Sequence, residues 1–130
     1  MEKTSAVVAP QAAGSRDEAF VIRVNKAPAW VDLELLLRTL AEVGAKPLLI
    51  SMPMDGQFYD QEGVSRVARE AYYKKLRMLA QQYHVALVEF EKHDQDPAFL
   101  DAQHNHLTGK GWTFYDQALD DFFHGRVARN

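Results

Sequence analysis

The sequence predicts an α/β fold in which a small parallel sheet is flanked by helices. Two short apolar runs, 46–52 and 85–90, read as strands buried on both faces. Apolar stripes at helical spacing lie before, between and after them. The resulting order of helix, strand, helix, strand, helix is that of parallel strands joined by right-handed crossovers.

Taken in order, residues 1–17 are rich in Ala, Gly, Ser and Gln and have no sustained periodicity. They read as a loose tail or linker, which leaves 18–130 as the folded part. Residues 20–24 (Phe-Val-Ile-Arg-Val) are β-prone and read as a short strand or an extended lead-in. Over 30–43, Leu33, Leu36, Leu37, Leu40 and Val43 recur at helical spacing, Gly44 takes the position after the helix, and Pro47 follows. The strand over 46–52 then runs into a loop over 54–63, with Asp55-Gly56 as its turn signal.

The strongest helix spans 64–83, where Val64, Val67, Ala68, Ala71, Tyr72, Leu76, Leu79 and Tyr83 form one stripe. Its Arg66, Arg69, Lys74, Lys75 and Arg77 read as a solvated basic side. After the strand over 85–90 comes a polar segment, 91–111, with one helical turn near 98–101. The last helix carries Trp112, Tyr115, Leu119 and Phe122 on one face, with Thr108 as its N-cap and Gly125 as its stop. So few strands leave sheet edges bare, which points to a larger α/β domain.

Composition narrows the function. The 130 residues are 47% hydrophobic and 25% charged with a net charge of −3, which suits one globular domain and no nucleic-acid surface. The absence of cysteine excludes disulfides, thiolate metal sites and a thiol nucleophile. No apolar run is long enough to span a bilayer, and the N-terminus lacks the pattern of a signal peptide.

In open parallel sheets ligands bind beyond the carboxyl ends of the strands. Two segments lie there: Ser51-Met52-Pro53-Met54-Asp55-Gly56, and the polar stretch with His93, Asp94, Asp96, Asp101, His104 and His106. A loop histidine oriented by a carboxylate can act as a general base. Alternatively these are solvated loop residues, or His104 and His106 join Asp94, Asp96 or Asp101 around a metal. Met52 and Met54 line a pocket floor or fill core space, and Phe58 and Tyr59 contact a ligand or anchor their loop. Among Ser5, Ser15, Ser51 and Ser65 none sits in a nucleophile turn, and Ser51 reads as a core residue bonded within the interior.

The run Leu48-Leu49-Ile50-Ser51-Met52-Pro53-Met54-Asp55-Gly56 is followed by Phe58-Tyr59-Asp60, Gly63-Val64-Ser65 and Ala71-Tyr72-Tyr73. With Gly44-Ala45-Lys46-Pro47 and His106-Leu107-Thr108 before Gly111-Trp112, it resembles the C-terminal region of the DltD family over residues 28–124. The resemblance implies an SGNH-hydrolase-like (flavodoxin-like) three-layer α/β sandwich, of which this chain is a portion. It further implies a membrane helix outside this chain and a position on the outer face of the cytoplasmic membrane.

The implied activity is D-alanyl transfer onto lipoteichoic acid or a related envelope polymer, with no cofactor. Implied partners are a membrane O-acyltransferase-type protein and a D-alanyl carrier protein. The implied nucleophile is an upstream serine with no counterpart here, so this chain alone would be inactive. His106 matches the family histidine, with Leu107, Thr108 and Gly111 after it. The aspartate expected three residues earlier is replaced by Gln103, which leaves Asp101 as the partner; Asp101-x-x-His104 is the other pairing. Met52, Met54 and Tyr59 are the expected substrate contacts. The competing expectation is a non-catalytic α/β module that docks an envelope-biosynthesis partner through residues 52–60.

Overall fold

The computed structural model describes residues 9–101 and 106–128. Helix α1 (Asp17–Lys26) and α2 (Ala29–Glu42) lead into strand β1 (Leu48–Ser51). A short helix α3 (Gly56–Gln61) and the long α4 (Arg66–Gln82) connect to β2 (Ala86–Glu89). A 3-10 turn (Glu91–His93), the antiparallel hairpin strands β3 (Leu100–Asp101) and β4 (His106–Leu107), each two residues long, and α5 (Gly109–Phe123) complete the order. The expected parallel pairing is present: Leu48 lies opposite Ala86 and Ser51 opposite Glu89.

Alternation along the two strands builds the core. Leu49 and Leu87 point to one face, where Leu37 of α2 and Leu79 and Ala80 of α4 are buried with Val85. Ile50 and Val88 point to the other, against Phe90, Phe99, Leu100 and Ala118 of the hairpin side and α5. The strands are less buried than expected: Leu48, Leu49 and Ile50 are all half-buried. Among the described residues β1 has a hydrogen-bonded neighbour on one side only, so its open edge admits solvent.

Several expectations are corrected. Residues 20–24 form part of α1, not a strand. Their β-branched side chains favour extension locally, but Asp17 and Glu18 open the segment, Arg23 and Lys26 close it, and both ends suit the helix dipole. Phe20 then packs with Val64 and Ala68 of the α4 side, and this tertiary burial decides the conformation. The loop over 54–63 contains α3, because Asp55 is a helix cap: its Oδ1 accepts the Phe58 N–H at 3.1 Å.

In α4 the buried stripe is Ala68, Arg69, Tyr73, Leu76, Leu79 and Ala80, and Val67 is 85% exposed. On α5 the fully buried residues are Gly111 and Ala118; Tyr115 packs against the core as expected, with Phe114 beside it, whereas Trp112 and Leu119 are exposed. Glycine is required at 111 because the Phe99 carbonyl approaches the helix there. The segment after β2 has its helical turn at Glu91–His93, while Leu100 and Asp101 are strand.

Where the caps were expected, they occur. Thr108 Oγ1 accepts the Gly111 N–H, and Gly44 adopts φ +72°, with the Ala45 N–H returning to the Leu40 carbonyl at 2.9 Å. Ser65 caps α4 and is itself held by Asp17, whose carboxylate accepts both the Ser65 N–H (2.7 Å) and hydroxyl (2.6 Å). These bonds hold the Asp17 carboxyl below its usual range. Just before it, the Gln11 N–H reaches the Gln61 carbonyl and the Arg16 N–H that of Gly63, so 11–16 run alongside α3. No helix among the described residues is long and apolar enough to cross a membrane.

Candidate functional site

Leaving β1, the chain passes through Met52, Pro53 and Met54 into the capped start of α3. This turn is pinned from below, because the Met54 N–H donates to the buried Tyr73 hydroxyl oxygen at 2.8 Å. Burial, and then the nearby carboxylates, push the Tyr73 phenol up to about 12. Ser51, at the end of β1, is buried as expected, but its hydroxyl lies 3.4 Å from the Met52 carbonyl, a long contact. Above the turn lies a cavity of about 420 Å³ lined by Met52, Pro53, Met54, Asp55, Phe58, Tyr59 and Tyr72. All three expected substrate contacts, Met52, Met54 and Tyr59, therefore meet in one cavity, joined by Asp55, Phe58 and Tyr72.

The segment after β2 resolves into distinct roles. His93 stacks on Phe99 with ring centroids 4.4 Å apart and lies 4.8 Å from Phe114, so it belongs to the aromatic cluster. Asp94 is buried and pairs with Arg69 at 3.3 Å. Asp96 accepts the Ala98 N–H and Lys110 Nζ, and these bonds lower its carboxyl below the usual range. Among the described residues no three His, Asp or Glu side chains group as metal ligands. Gln103 and His104 lie outside those residues.

The hairpin brings the two expected catalytic residues together. Asp101 and His106 are direct cross-strand partners in the antiparallel ladder. Such partners carry side chains on the same face, with Cβ atoms roughly 5 Å apart. Asp101 is half-buried and His106 exposed. Neither lines the cavity above α3. A separate small cleft is bordered by Asp55, Asp94, Asp96 and Leu100, the last adjacent in sequence to Asp101.

Thr108 and Gly111, just beyond His106, fix the hairpin. The Thr108 N–H donates to the Phe99 carbonyl at 3.0 Å, and its hydroxyl donates to the Ala98 carbonyl. At Gly111 a Cβ would sit 2.5 Å from the Phe99 carbonyl oxygen and 3.0 Å from Leu107. Alanine there gains about 1 kcal/mol of helix propensity, but the backbone clash costs about 1–3 kcal/mol, so the clash wins. Gly111→Ala should accordingly lower the urea midpoint; an unchanged or raised midpoint would show that α5 does not press on the hairpin.

Arg69 is not the solvated cation that its helix pattern suggests. It is 1% exposed. Its guanidinium donates to Asp60 (2.7 Å), the Val64 carbonyl (2.8 Å) and Asp94 (3.3 Å). It thereby ties α3, which walls the cavity, to the loop that leads into the hairpin. Gly56 completes the joint: its N–H donates to the Asp94 carbonyl at 2.8 Å, and a Cβ would lie 2.4 Å from Gln95. Arg77, by contrast, stays 39% exposed while it pairs with Glu70, Glu89 and Glu91. A signal for Arg69 does exist in the sequence, since 69, 73, 76 and 80 share one helix face and the other three are apolar.

The family model described as DltD protein matches residues 8–124. The chain belongs to the DltD family. It is 32% identical over 96 residues to Protein DltD of Bacillus subtilis (strain 168), covering 74% of this chain and 24% of that protein. It is 28% identical over 92 residues to Protein DltD of Staphylococcus aureus (strain NCTC 8325 / PS 47), covering 71% and 23%. The chain thus spans about a quarter of the length of these DltD relatives. No solved structure matches it.

Proposed function

We propose that this chain is the C-terminal portion of a DltD-type protein that takes part in D-alanyl transfer to lipoteichoic acid or a related cell-envelope polymer. In this reading the whole has an SGNH-hydrolase-like (flavodoxin-like) three-layer fold, and the open edge of β1 continues into strands outside these residues. It works at the outer face of the membrane beside a membrane O-acyltransferase-type protein and a D-alanyl carrier protein. The chemistry is acyl transfer through a serine outside these residues. His106 takes the hydroxyl proton as the serine oxygen attacks the D-alanyl carbonyl, then returns it to the leaving group. Asp101 orients the imidazole and stabilises its charged form. Met52, Met54 and Tyr59 contact the acyl donor or acceptor. These residues alone would not turn over.

The observation that carries the reading is the cross-strand pairing of Asp101 with His106 in a DltD-family chain, immediately before the Thr108 cap. It supports Asp101, two positions before the usual aspartate, as the orienting group despite Gln103. The test is D-alanyl ester content of the polymer in cells expressing His106→Asn in the intact protein, with the protein's level checked. Loss is expected. Retention of the wild-type content overturns the role of His106.

A further inference from the structure

The cavity above α3 has a charge character that the transfer chemistry does not use. At about 420 Å³ it lies within the range of small-molecule sites. Its seven lining residues include three aromatic rings, one carboxylate and no basic group. Phe58 and Tyr59 stand edge to face, 5.3 Å between centroids, so they offer differently directed ring surfaces. Tyr72 is braced by Trp30 at 5.5 Å and Tyr73 at 5.3 Å.

Asp55 is the unmatched charge. Its acidic neighbours in the adjoining cleft are neutralised, Asp94 by Arg69 and Asp96 by Lys110. No cation among the described residues pairs with Asp55. One of its oxygens, Oδ1, is committed to the Phe58 N–H, which leaves the other for a ligand. The same bond means that the start of α3 already holds an anion, so a second one is disfavoured there. A carboxylate beside aromatic faces is the arrangement that recognises an organic cation.

We infer that this cavity binds a small primary ammonium group, with Asp55 as counter-ion, Phe58, Tyr59 and Tyr72 as aromatic wall, and Met52 and Met54 beside the substituent. The ligand class is an aminoacyl ester carrying a free α-ammonium. Assigning it to the D-alanyl group rests on the transfer reading above; the preference for a cation does not.

The test compares D-alanine methyl ester with N-acetyl-D-alanine methyl ester, which keeps the shape and loses the charge. Binding to the intact protein is followed by saturation-transfer NMR and calorimetry in mildly acidic buffer. Wild type should prefer the ammonium ester by about tenfold. Asp55→Asn keeps the helix cap, since asparagine caps as well as aspartate, and should abolish the preference while the thermal midpoint stays near wild type. Phe58→Leu keeps apolar volume and should weaken it. Equal affinity for the two esters, no binding of the ammonium ester, or a preference that survives Asp55→Asn each overturns the inference. His106→Asn separates the two readings. Normal transfer in that variant with the ester preference intact sinks the transfer reading alone. Lost transfer with no Asp55-dependent preference sinks this one alone.

Discussion

Replacing His106 by asparagine in the intact protein should lower D-alanyl transfer by about a thousandfold, the scale on which an enzyme loses its general base. In the proposed mechanism His106 holds the proton in both half-reactions, so serine attack and leaving-group departure would both slow without it. Asp101→Asn should lower transfer by about a hundredfold or more, because an amide neither stabilises imidazolium nor enforces the tautomer. The decisive measurement is the pair together. Residues that act as a unit are non-additive, so the double variant should be no slower than His106→Asn alone. Losses that multiply would mean that Asp101 acts independently of the ring, and the dyad would be withdrawn. Reaction with a fluorophosphonate, which would report the proposed serine directly, should fall in step with transfer. Labelling at the wild-type rate in His106→Asn would place the base elsewhere.

The sequence made some of this legible for reasons that can be named. Leu48 to Ser51 and Ala86 to Glu89 sit in apolar runs too short for helices, and they pair in parallel. Gly44 and Thr108 announce helix ends because their conformational and hydrogen-bonding roles are local. Phe20 to Val24 misleads because local β preference is worth less than burying Phe20 beside Val64 and Ala68. Asp55-Gly56 looks like a turn because the same residues that make turns also cap helices. At the site, the resemblance alone paired Asp101 with His106, and the geometry that joins them was not visible. Asp101 and His106 become neighbours only through a hairpin register that no periodicity encodes across so short a ladder. Asp94 reads as a loop acid until Arg69, twenty-five residues earlier, is seen buried against it.

That buried pair carries the largest expected effect on stability. Arg69→Met should cost about 3–5 kcal/mol, because it strands Asp94 in the interior without its counter-charge. The two side chains are 2% and 7% exposed, so water cannot take over the lost bonds. Asp60 contributes less, since its side chain is 52% exposed and its attraction to Arg69 is screened. If the cost comes from the unpaired acid, Arg69→Met combined with Asp94→Leu should recover most of it, because an apolar pair of similar volume needs no partner. A double variant as unstable as Arg69→Met would assign the loss to the Val64 carbonyl or to packing. Acid adds an independent check. The Arg69 bond holds the Asp60 carboxyl below its ordinary value of 3.8. A depressed carboxyl stabilises above that value and loses its contribution as pH falls through the lower, folded one. Wild type should therefore weaken below pH 3.8 more steeply than Arg69→Met, in which Asp60 titrates without its cation. Since Arg69 also joins the cavity wall to the loop before the hairpin, Arg69→Lys should restore part of the stability. It should restore less of the transfer rate, because a single ammonium cannot reach Asp60, Val64 and Asp94 at the angles of a planar guanidinium. Equal recovery of both would reduce Arg69 to a stabilising residue.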